Sequence, residues 1–159
     1  MGIYTPIVAS SELERLPARE EQCQVPVPRG EGLFEVDATW GVVQPAELAP
    51  GVRTVGELEV IEHVKDAKPL IDTRLEHFFR QGTIPGARSI PHQQILEHRG
   101  ELDAGVATIF FCNGPQCPAT PDAVRQLLDS GYPAEAILYY RGGIHNWMTL
   151  GFPVVVGVR

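Results

Sequence analysis

From residue 54 onward, short apolar runs alternate with segments that carry apolar residues at helical spacing. The apolar runs predict strands over 68–72, 87–91, 106–111 and 136–140, and the periodic segments predict helices over 57–65, 77–80, 93–98, 121–130 and 144–150. Strands that alternate with helices pair in parallel, because each crossover returns the chain to the same edge of the sheet. The sequence therefore predicts an α/β fold, a small parallel sheet with helices on both faces, whose ligands bind at the carboxyl ends of the strands.

Composition and charge limit the classes of protein to which this chain can belong. Its 159 residues, 43% hydrophobic and 21% charged, are typical of one globular domain with an appendage. The formal net charge of −7 argues against nucleic acid and against an anionic membrane as partners. No apolar run approaches the roughly 20 residues that span a bilayer, and no signal-peptide pattern begins the sequence, so we expect a cytoplasmic protein. Three cysteines do not make a disulfide framework, so we expect reduced thiols.

The first third of the chain has a different character. Residues 1–53 contain several prolines and a charged stretch, and they predict an irregular N-terminal extension that wraps a main domain over 54–159. A short helix is predicted to begin at Ser10 or Ser11, and a strand is predicted over 33–43. Trp40 is the expected anchor of this extension on the domain.

Cys112 lies where the predicted strand 106–111 ends, and a loop leads from it to the helix over 121–130. We expect Thr120 to cap that helix, with Pro121 as its first residue and Gly131 just beyond its end. A thiol between a strand end and a helix N-terminus faces backbone N–H groups, which favour the thiolate. Cys112 is therefore the predicted nucleophile, with a lowered pKa.

Three ordered motifs resemble those of the rhodanese-like (sulfurtransferase) domain family. The first combines 70–74 with 82–91, the second is Cys112 at a strand end, and the third combines 139–147 with 151–154. The resemblance covers 54–155 and implies a rhodanese-like fold. It implies a sulfurtransferase that holds sulfane sulfur as a persulfide on Cys112 and passes it to a thiol or to cyanide.

The same resemblance implies the remaining site residues. The substrate-binding loop would consist of Asn113, Gly114, Pro115, Gln116, Cys117, Pro118 and Ala119. The supporting residues would be Asp72, Arg74 and Arg141. The expected partners are a small sulfur donor, a thiol or cyanide acceptor and, as a further class, a protein that accepts sulfur. No cofactor and no metal are expected, because the Cys-x4-Cys spacing lacks a second ligand pair.

The loop departs from the usual family pattern in two ways. It is longer than usual and contains no Arg or Lys from 112 to 120, so the dianion thiosulfate is not assured as the donor. Arg141 is the candidate to replace the missing cation, unless it is a surface residue. The second departure is Cys117, which either resolves a persulfide, relays sulfur, forms a redox disulfide with Cys112, or packs as a small residue. Asp72 and Arg74 are either structural partners near the loop or a solvated pair.

Three other functions stay open at this point. A phosphatase or arsenate reductase on the same fold would suit a longer loop, although phosphate favours a bidentate cation. A non-catalytic sulfur-carrier module would suit the prolines of the loop and of the extension. A dithiol redox module would use Cys112 and Cys117 as its couple. A Cys-His hydrolase is disfavoured, because His63, His77, His92 and His98 do not pair with Cys112 by position.

Overall fold

The computed structural model describes residues 27–30, 33–35 and 42–158. Its centre is a five-stranded parallel sheet in the order β3-β7-β6-β4-β5. The strands of this sheet are β3 (Arg53–Val55), β4 (Leu70–Asp72), β5 (Arg88–Ser89), β6 (Thr108–Phe111) and β7 (Ile137–Tyr140). The α-helices are α1 (Glu57–Lys65), α2 (Glu76–Gln81), α3 (Ala119–Asp129) and α4 (Gly143–Thr149). This architecture confirms the predicted α/β class.

The middle strand, β6, is buried along its whole length. Ile109 pairs with Leu70 of β4 and with Leu138 of β7, so hydrogen-bonded neighbours cover both edges of the strand. A continuous apolar run suits a strand with both edges and both faces covered. The position that follows β6 therefore lies at the centre of the sheet's carboxyl edge.

Two apolar clusters cover the two faces of the sheet, because successive strand side chains point to opposite sides. Phe110 belongs to the cluster that α3 covers with Ala123, Val124 and Leu127. Ile109 and Phe111 belong to the opposite cluster, where α1 and α4 contribute Val60, Ile144 and Trp147. Trp147 is 2% exposed. The prediction of helices on both faces is thus confirmed.

Most predicted elements are present with shifted ends, and two predictions are wrong. The helix α3 begins at Ala119 after Pro118, so Thr120 is not its N-cap and Pro121 is not its first residue. Thr120 is fully buried inside the first turn, where its hydroxyl contacts another side chain rather than capping the helix. The helix predicted over 93–98 is only a 3₁₀ turn, His92–Gln94, followed by further turns.

Only part of the N-terminal extension lies within the described residues. The strands β1 (Val27–Gly30) and β2 (Leu33–Glu35) form an antiparallel pair, and β2 coincides with the start of the strand predicted over 33–43. The predicted helix near Ser10 and the predicted anchor Trp40 lie outside the described residues. From residue 42 the chain runs to β3, and Leu48 and Ala49 pack against the α3 side of the core.

None of the helices within 42–158 combines the length and the apolar character needed to cross a bilayer.

Candidate active site

The loop that follows β6 is held by the first turn of α4. The amide of Ile144 donates to the carbonyl of Cys112 over 2.9 Å, and the amide of His145 donates to the carbonyl of Asn113 over 2.9 Å. Gly143 lies so close that a Cβ atom there would be 2.6 Å from the Cys112 carbonyl oxygen. The backbone of the predicted nucleophile is therefore positioned by the residues that follow Arg141, far along the chain.

The loop turns back on itself before α3 begins. The amide of Cys117 donates to the carbonyl of Gly114 over 3.0 Å, which closes a tight turn. Cys112 is 1% exposed and Cys117 is 3% exposed, and both are free cysteines. Together with Ala119 they form a small buried cluster of their own. The fold therefore places both loop thiols in one buried space at the carboxyl edge of the sheet.

The two thiols contact each other. Cys112 Sγ donates to the carbonyl oxygen of Cys117 over 3.6 Å, and Asn113 Nδ2 lies 4.0 Å from Cys117 Sγ as a donor. Both side chains also belong to one small buried cluster. Two thiols packed together hold one negative charge more readily than two, because the second charge repels the first.

The pKa values of the two thiols move in opposite directions. Burial raises the pKa of Cys112 well above its usual value, and the hydrogen bond and charge of Cys117 raise it further, although hydrogen bonds from Thr120 lower it. Burial also acts to raise the pKa of Cys117. Hydrogen bonds to Cys117 from the Cys112 thiol and from the backbone of Asn113 and Ala119 outweigh that effect, so its pKa lies below the usual value.

The lowered pKa that the sequence placed on Cys112 is therefore wrong for the resting dithiol. Backbone N–H groups of Asn113 and Ala119 contact the sulfur of Cys117, whereas the backbone hydrogen bond to the sulfur of Cys112 comes from Thr120. Cys112 then acts as the hydrogen-bond donor of the pair. Chemically, the arrangement is a buried dithiol in which Cys117 is the more acidic thiol.

Two buried threonines lie beneath the loop. Thr73 donates its hydroxyl to the carbonyl of Phe111 over 2.9 Å, and its Oγ1 lies 2.8 Å from Oγ1 of Thr120. Thr120 in turn lowers the pKa of Cys112 through hydrogen bonds. This chain of hydroxyls links β4 to the loop, and sequence reasoning missed it. The signal available was position alone, since Thr73 follows a strand and Thr120 ends the loop.

Asp72 and Arg74 form a fully buried ion pair beside this site. Arg74 donates from Nε to Asp72 Oδ1 over 2.9 Å and from Nη2 to Oδ2 over 2.6 Å, with the side chains 1% and 0% exposed. Arg74 Nη2 also donates to the carbonyl of Gly82, and the Thr83 hydroxyl donates to Asp72 Oδ2. Of the two readings of this pair, burial excludes the solvated one. The pair ties β4 to the segment that leads into β5.

Arg141, the candidate loop cation, reaches the loop through the N-terminal segment. Its Nε and Nη2 donate to the carbonyl oxygen of Gln44 over 3.2 and 2.9 Å. The amide of Gln44 donates to the carbonyl of Pro115 over 2.7 Å. The backbone of Gln44 therefore connects Arg141 to the loop. Sequence reasoning gave Gln44 no role, and no local pattern marks it.

Further polar atoms line the inside of this region. Tyr139 of β7 is fully buried, and within the described part of the chain its hydroxyl has no hydrogen-bond partner. Burial raises the pKa of Tyr139, and the charge of Cys112 adds to that effect, so the hydroxyl stays protonated as a donor. Asn113 Oδ1 and Gln116 Oε1 also lack a partner among the described residues. These atoms are available to a group bound in the loop.

No metal-binding cluster was found in the part of the chain that the structure describes. Within 27–30, 33–35 and 42–158, no three side chains of His, Cys, Asp or Glu lie together as ligands.

Comparison with known proteins gives a family match over most of the sheet and its helices. The family model described as a rhodanese-like domain matches residues 57–150. The HTH-type transcriptional regulator Rv0324 of Mycobacterium tuberculosis is 32% identical over 88 residues, which cover 55% of this chain and 38% of that protein. The chain therefore corresponds to well under half of that relative.

Solved structures give the same fold. A rhodanese-related protein from Thermoplasma volcanium has a TM-score of 0.55 and 24% identity, and the match covers 65% of this chain and 98% of that chain. The thiosulfate sulfurtransferase of Pseudomonas aeruginosa has a TM-score of 0.56 and 22% identity over 67% of this chain and 21% of that chain. At these identities the likeness concerns the fold.

Proposed function

We propose that this chain, which belongs to the rhodanese-like domain family, transfers sulfane sulfur through a persulfide on Cys112. The observation that carries the proposal is the buried thiol at the end of β6, packed in one cluster with a second thiol that can take its proton. A thiolate is the attacking species in sulfur transfer. When a donor enters, Cys112 passes its proton to the Cys117 thiolate and attacks the sulfane sulfur.

The reaction has two balanced steps. In the first, the Cys112 thiolate bonds to the outer sulfur of the donor, the donor's sulfur–sulfur bond breaks, and sulfite or a thiolate leaves with the electron pair. In the second, an acceptor thiolate or cyanide attacks the outer sulfur of the persulfide and regenerates the Cys112 thiolate. Backbone N–H groups of residues 113–119 stabilise the negative charge in both steps.

The charge of the loop favours one class of donor. No Arg or Lys occurs from 112 to 120, and the guanidinium of Arg141 is engaged with the Gln44 carbonyl. A dianion such as thiosulfate needs more positive charge than an organic persulfide, which carries at most one charge near the reacting sulfur. We therefore propose an organic persulfide as the donor and a small thiol or a protein thiol as the acceptor. A reducing compartment such as the cytoplasm keeps both thiols available.

The test is a sulfur-transfer assay with variants of each cysteine. The full chain is supplied with thiosulfate or, separately, with cysteine persulfide, and thiocyanate is measured after addition of cyanide. We expect Cys112→Ser to abolish thiocyanate formation, while the matched control Cys23→Ser retains it. If thiocyanate formation survives in Cys112→Ser and is lost in Cys117→Ser, Cys117 rather than Cys112 carries the persulfide, and the proposed role of Cys112 is overturned.

The thiol contact also favours a second function, a dithiol redox module. Such a module would cycle between the dithiol and a Cys112–Cys117 disulfide without binding sulfane sulfur. Mass spectrometry of Cys117→Ser after exposure to cysteine persulfide separates the two functions, because a sulfurtransferase then retains on Cys112 a sulfur atom that cyanide removes as thiocyanate. A phosphatase or arsenate reductase is the alternative that the loop opposes, because a tetrahedral oxyanion calls for a bidentate cation there.

A further inference from the structure

We propose that Cys117 is an intramolecular acceptor for the persulfide of Cys112. Its thiolate attacks Cys112 Sγ, displaces the outer sulfur as hydrosulfide and closes a Cys112–Cys117 disulfide. This inference rests on the proposed function, since it requires that a persulfide forms. It adds a second activity to the site: the chain releases sulfide without any external thiol acceptor.

The geometry of the loop brings the attacking sulfur to the inner sulfur of the persulfide. The two cysteines pack in one buried cluster, and Cys112 Sγ lies 3.6 Å from the carbonyl oxygen of Cys117 itself. The turn from Gly114 to Cys117 holds this approach, because its hydrogen bond of 3.0 Å folds the second cysteine back toward the first. Ala119 is the third member of this cluster. The inner sulfur of the persulfide therefore stays in the same buried space as the second thiol.

The protein groups around Cys117 suit a nucleophile. Asn113 donates toward Cys117 Sγ from its side chain over 4.0 Å, and backbone N–H groups of Asn113 and Ala119 contact the same sulfur. These donors lower the pKa of Cys117, so it carries negative charge at a pH where an ordinary thiol is mostly protonated. Hydrosulfide is a better leaving group than an alkyl thiolate, which favours attack on Cys112 Sγ once the outer sulfur is protonated.

Atoms and electrons balance within the site. The thiolate that leaves the organic persulfide in the first step takes the proton from Cys117, so Cys117 is again a thiolate. Cys117–S⁻ and Cys112–S–SH then give Cys112–S–S–Cys117 and HS⁻, with one negative charge on each side. The bond between Cys112 Sγ and the outer sulfur breaks, and its electron pair leaves with the hydrosulfide. The two cysteine sulfurs are oxidised by two electrons in total, and the sulfane sulfur is reduced to sulfide by the same two. A dithiol reductant is required afterwards to reopen the disulfide.

Burial makes this internal route competitive with transfer to an outside acceptor. Both sulfurs are at most 3% exposed, so an external thiol reaches the persulfide only through an opening of the loop. Cys117 is already inside. Reacting groups held in contact react as if at an effective concentration far above that of any dissolved thiol. A persulfide that finds no acceptor therefore ends as sulfide and a disulfide.

The experiment follows a single turnover of the full chain in the absence of air. Cys23→Ser, Cys23→Ser/Cys117→Ser and Cys23→Ser/Cys117→Ala are each loaded with cysteine persulfide, desalted and incubated without acceptor. Intact mass reports the persulfide and the disulfide, and sulfide is measured in parallel. Circular dichroism verifies that each variant is folded, and the two replacements at position 117 control for the hydroxyl of serine.

The expected result is specific to Cys117. In the Cys23→Ser protein the added sulfur disappears, one sulfide is released per chain, and the final mass lacks two hydrogens relative to the reduced protein. In both Cys117 variants the persulfide lasts longer, by a factor of roughly a hundred or more. Dithiothreitol then restores the reduced mass of the Cys23→Ser protein.

Three results would overturn the inference. Equal persulfide lifetimes with and without Cys117 would overturn it while leaving the sulfurtransferase proposal intact. Transfer of the sulfur atom to Cys117 as a stable persulfide, seen in fragment spectra, would do the same and would indicate a relay. Failure of every variant to gain sulfur from cysteine persulfide or thiosulfate would overturn the proposed function, and the inference with it.

Discussion

The substitution Gly143→Ala tests whether α4 positions the Cys112 loop. Gly143 has a φ of +63°, and a Cβ atom there would be 2.5 Å from the carbonyl carbon of Asn113 and 2.6 Å from the carbonyl oxygen of Cys112. Carbon atoms in contact normally lie about 3.5–4.0 Å apart, so the loop or the helix must move by about 1 Å. The methyl group meets backbone rather than a flexible side chain, so no rotamer change relieves the contact.

Gly151→Ala is the matched control. Gly151 lies just beyond the other end of α4 with a φ of +79°, and a Cβ atom there meets nothing within 4 Å. Both substitutions incur the left-handed backbone cost of about 1–2 kcal/mol. Both recover about 0.4–1 kcal/mol from the smaller entropy of the unfolded chain. We therefore expect Gly151→Ala to lower the free energy of unfolding by about 1 kcal/mol.

Gly143→Ala should lower the free energy of unfolding further, because it disturbs the hydrogen bonds that hold the loop. Movement by about 1 Å breaks or stretches the bonds from the amides of Ile144 and His145 to the carbonyls of Cys112 and Asn113, each 2.9 Å long. Each buried bond lost costs about 1–2 kcal/mol. The expected total for Gly143→Ala is therefore about 3–5 kcal/mol.

Two measurements compare the variants. Urea denaturation followed by circular dichroism gives the two free energies of unfolding. Persulfide formation on Cys112 gives the effect on the site, and we expect about a hundredfold slower reaction in Gly143→Ala, because a displacement of about 1 Å has that effect on catalytic groups. Equal destabilisation and equal reaction rates in the two variants would refute the claim that α4 positions the loop.

Three further predictions follow from the contacts of the site. Arg74→Met leaves the carboxylate beside it buried without its cation, so we expect the free energy of unfolding in urea to fall by about 3–5 kcal/mol. Arg80→Met breaks an exposed ion pair of 2.8 Å and should lower the same free energy by less than about 1 kcal/mol. Similar losses in the two variants would contradict the value expected for Arg74→Met. Cys117→Ser removes the thiol that raises the pKa of Cys112, so the pH midpoint of Cys112 alkylation by iodoacetamide should fall, and a rise would count against the contact. Thr120→Val removes a hydroxyl that lowers the same pKa, so that midpoint should rise, and an unchanged midpoint would remove Thr120 from the site.

Local sequence was sufficient to predict four of the five strands of the sheet, whereas the edge strand β3 was not predicted. The apolar run ending at Phe111 marks β6, and the helical spacing over 57–65 coincides with α1. Strands and helices of this kind depend on residues that are close in the chain, so the periodicity of apolar residues predicts them directly. The start of α3 was predicted wrongly because Thr120 has the chemistry of an N-cap, yet its hydroxyl lies against Thr73 in the core.

The sequence predicted that Cys112 begins the loop after β6, but it did not predict the direction in which the pKa of its thiol is shifted. The strand end and the following helix are local features, and they place the sulfur at the sheet's carboxyl edge. Which of two neighbouring thiols holds the charge depends on where N–H groups converge, and the folded loop directs them to Cys117. Local reasoning assigned the lowered pKa to the wrong sulfur for that reason.

By itself, the sequence determined the alternation of strands and helices, the position of Cys112 at the end of a strand and the presence of a second thiol in its loop. Only the tertiary structure decided the order of the strands, the burial of the Asp72–Arg74 pair and the contact of Gly143 with the Cys112 carbonyl. Only the folded chain brings Gln44 between Arg141 and the loop. The physical reason is distance along the chain: hydrophobic period and backbone preference act locally, whereas charge, desolvation and steric contact depend on residues that meet only when the chain is folded.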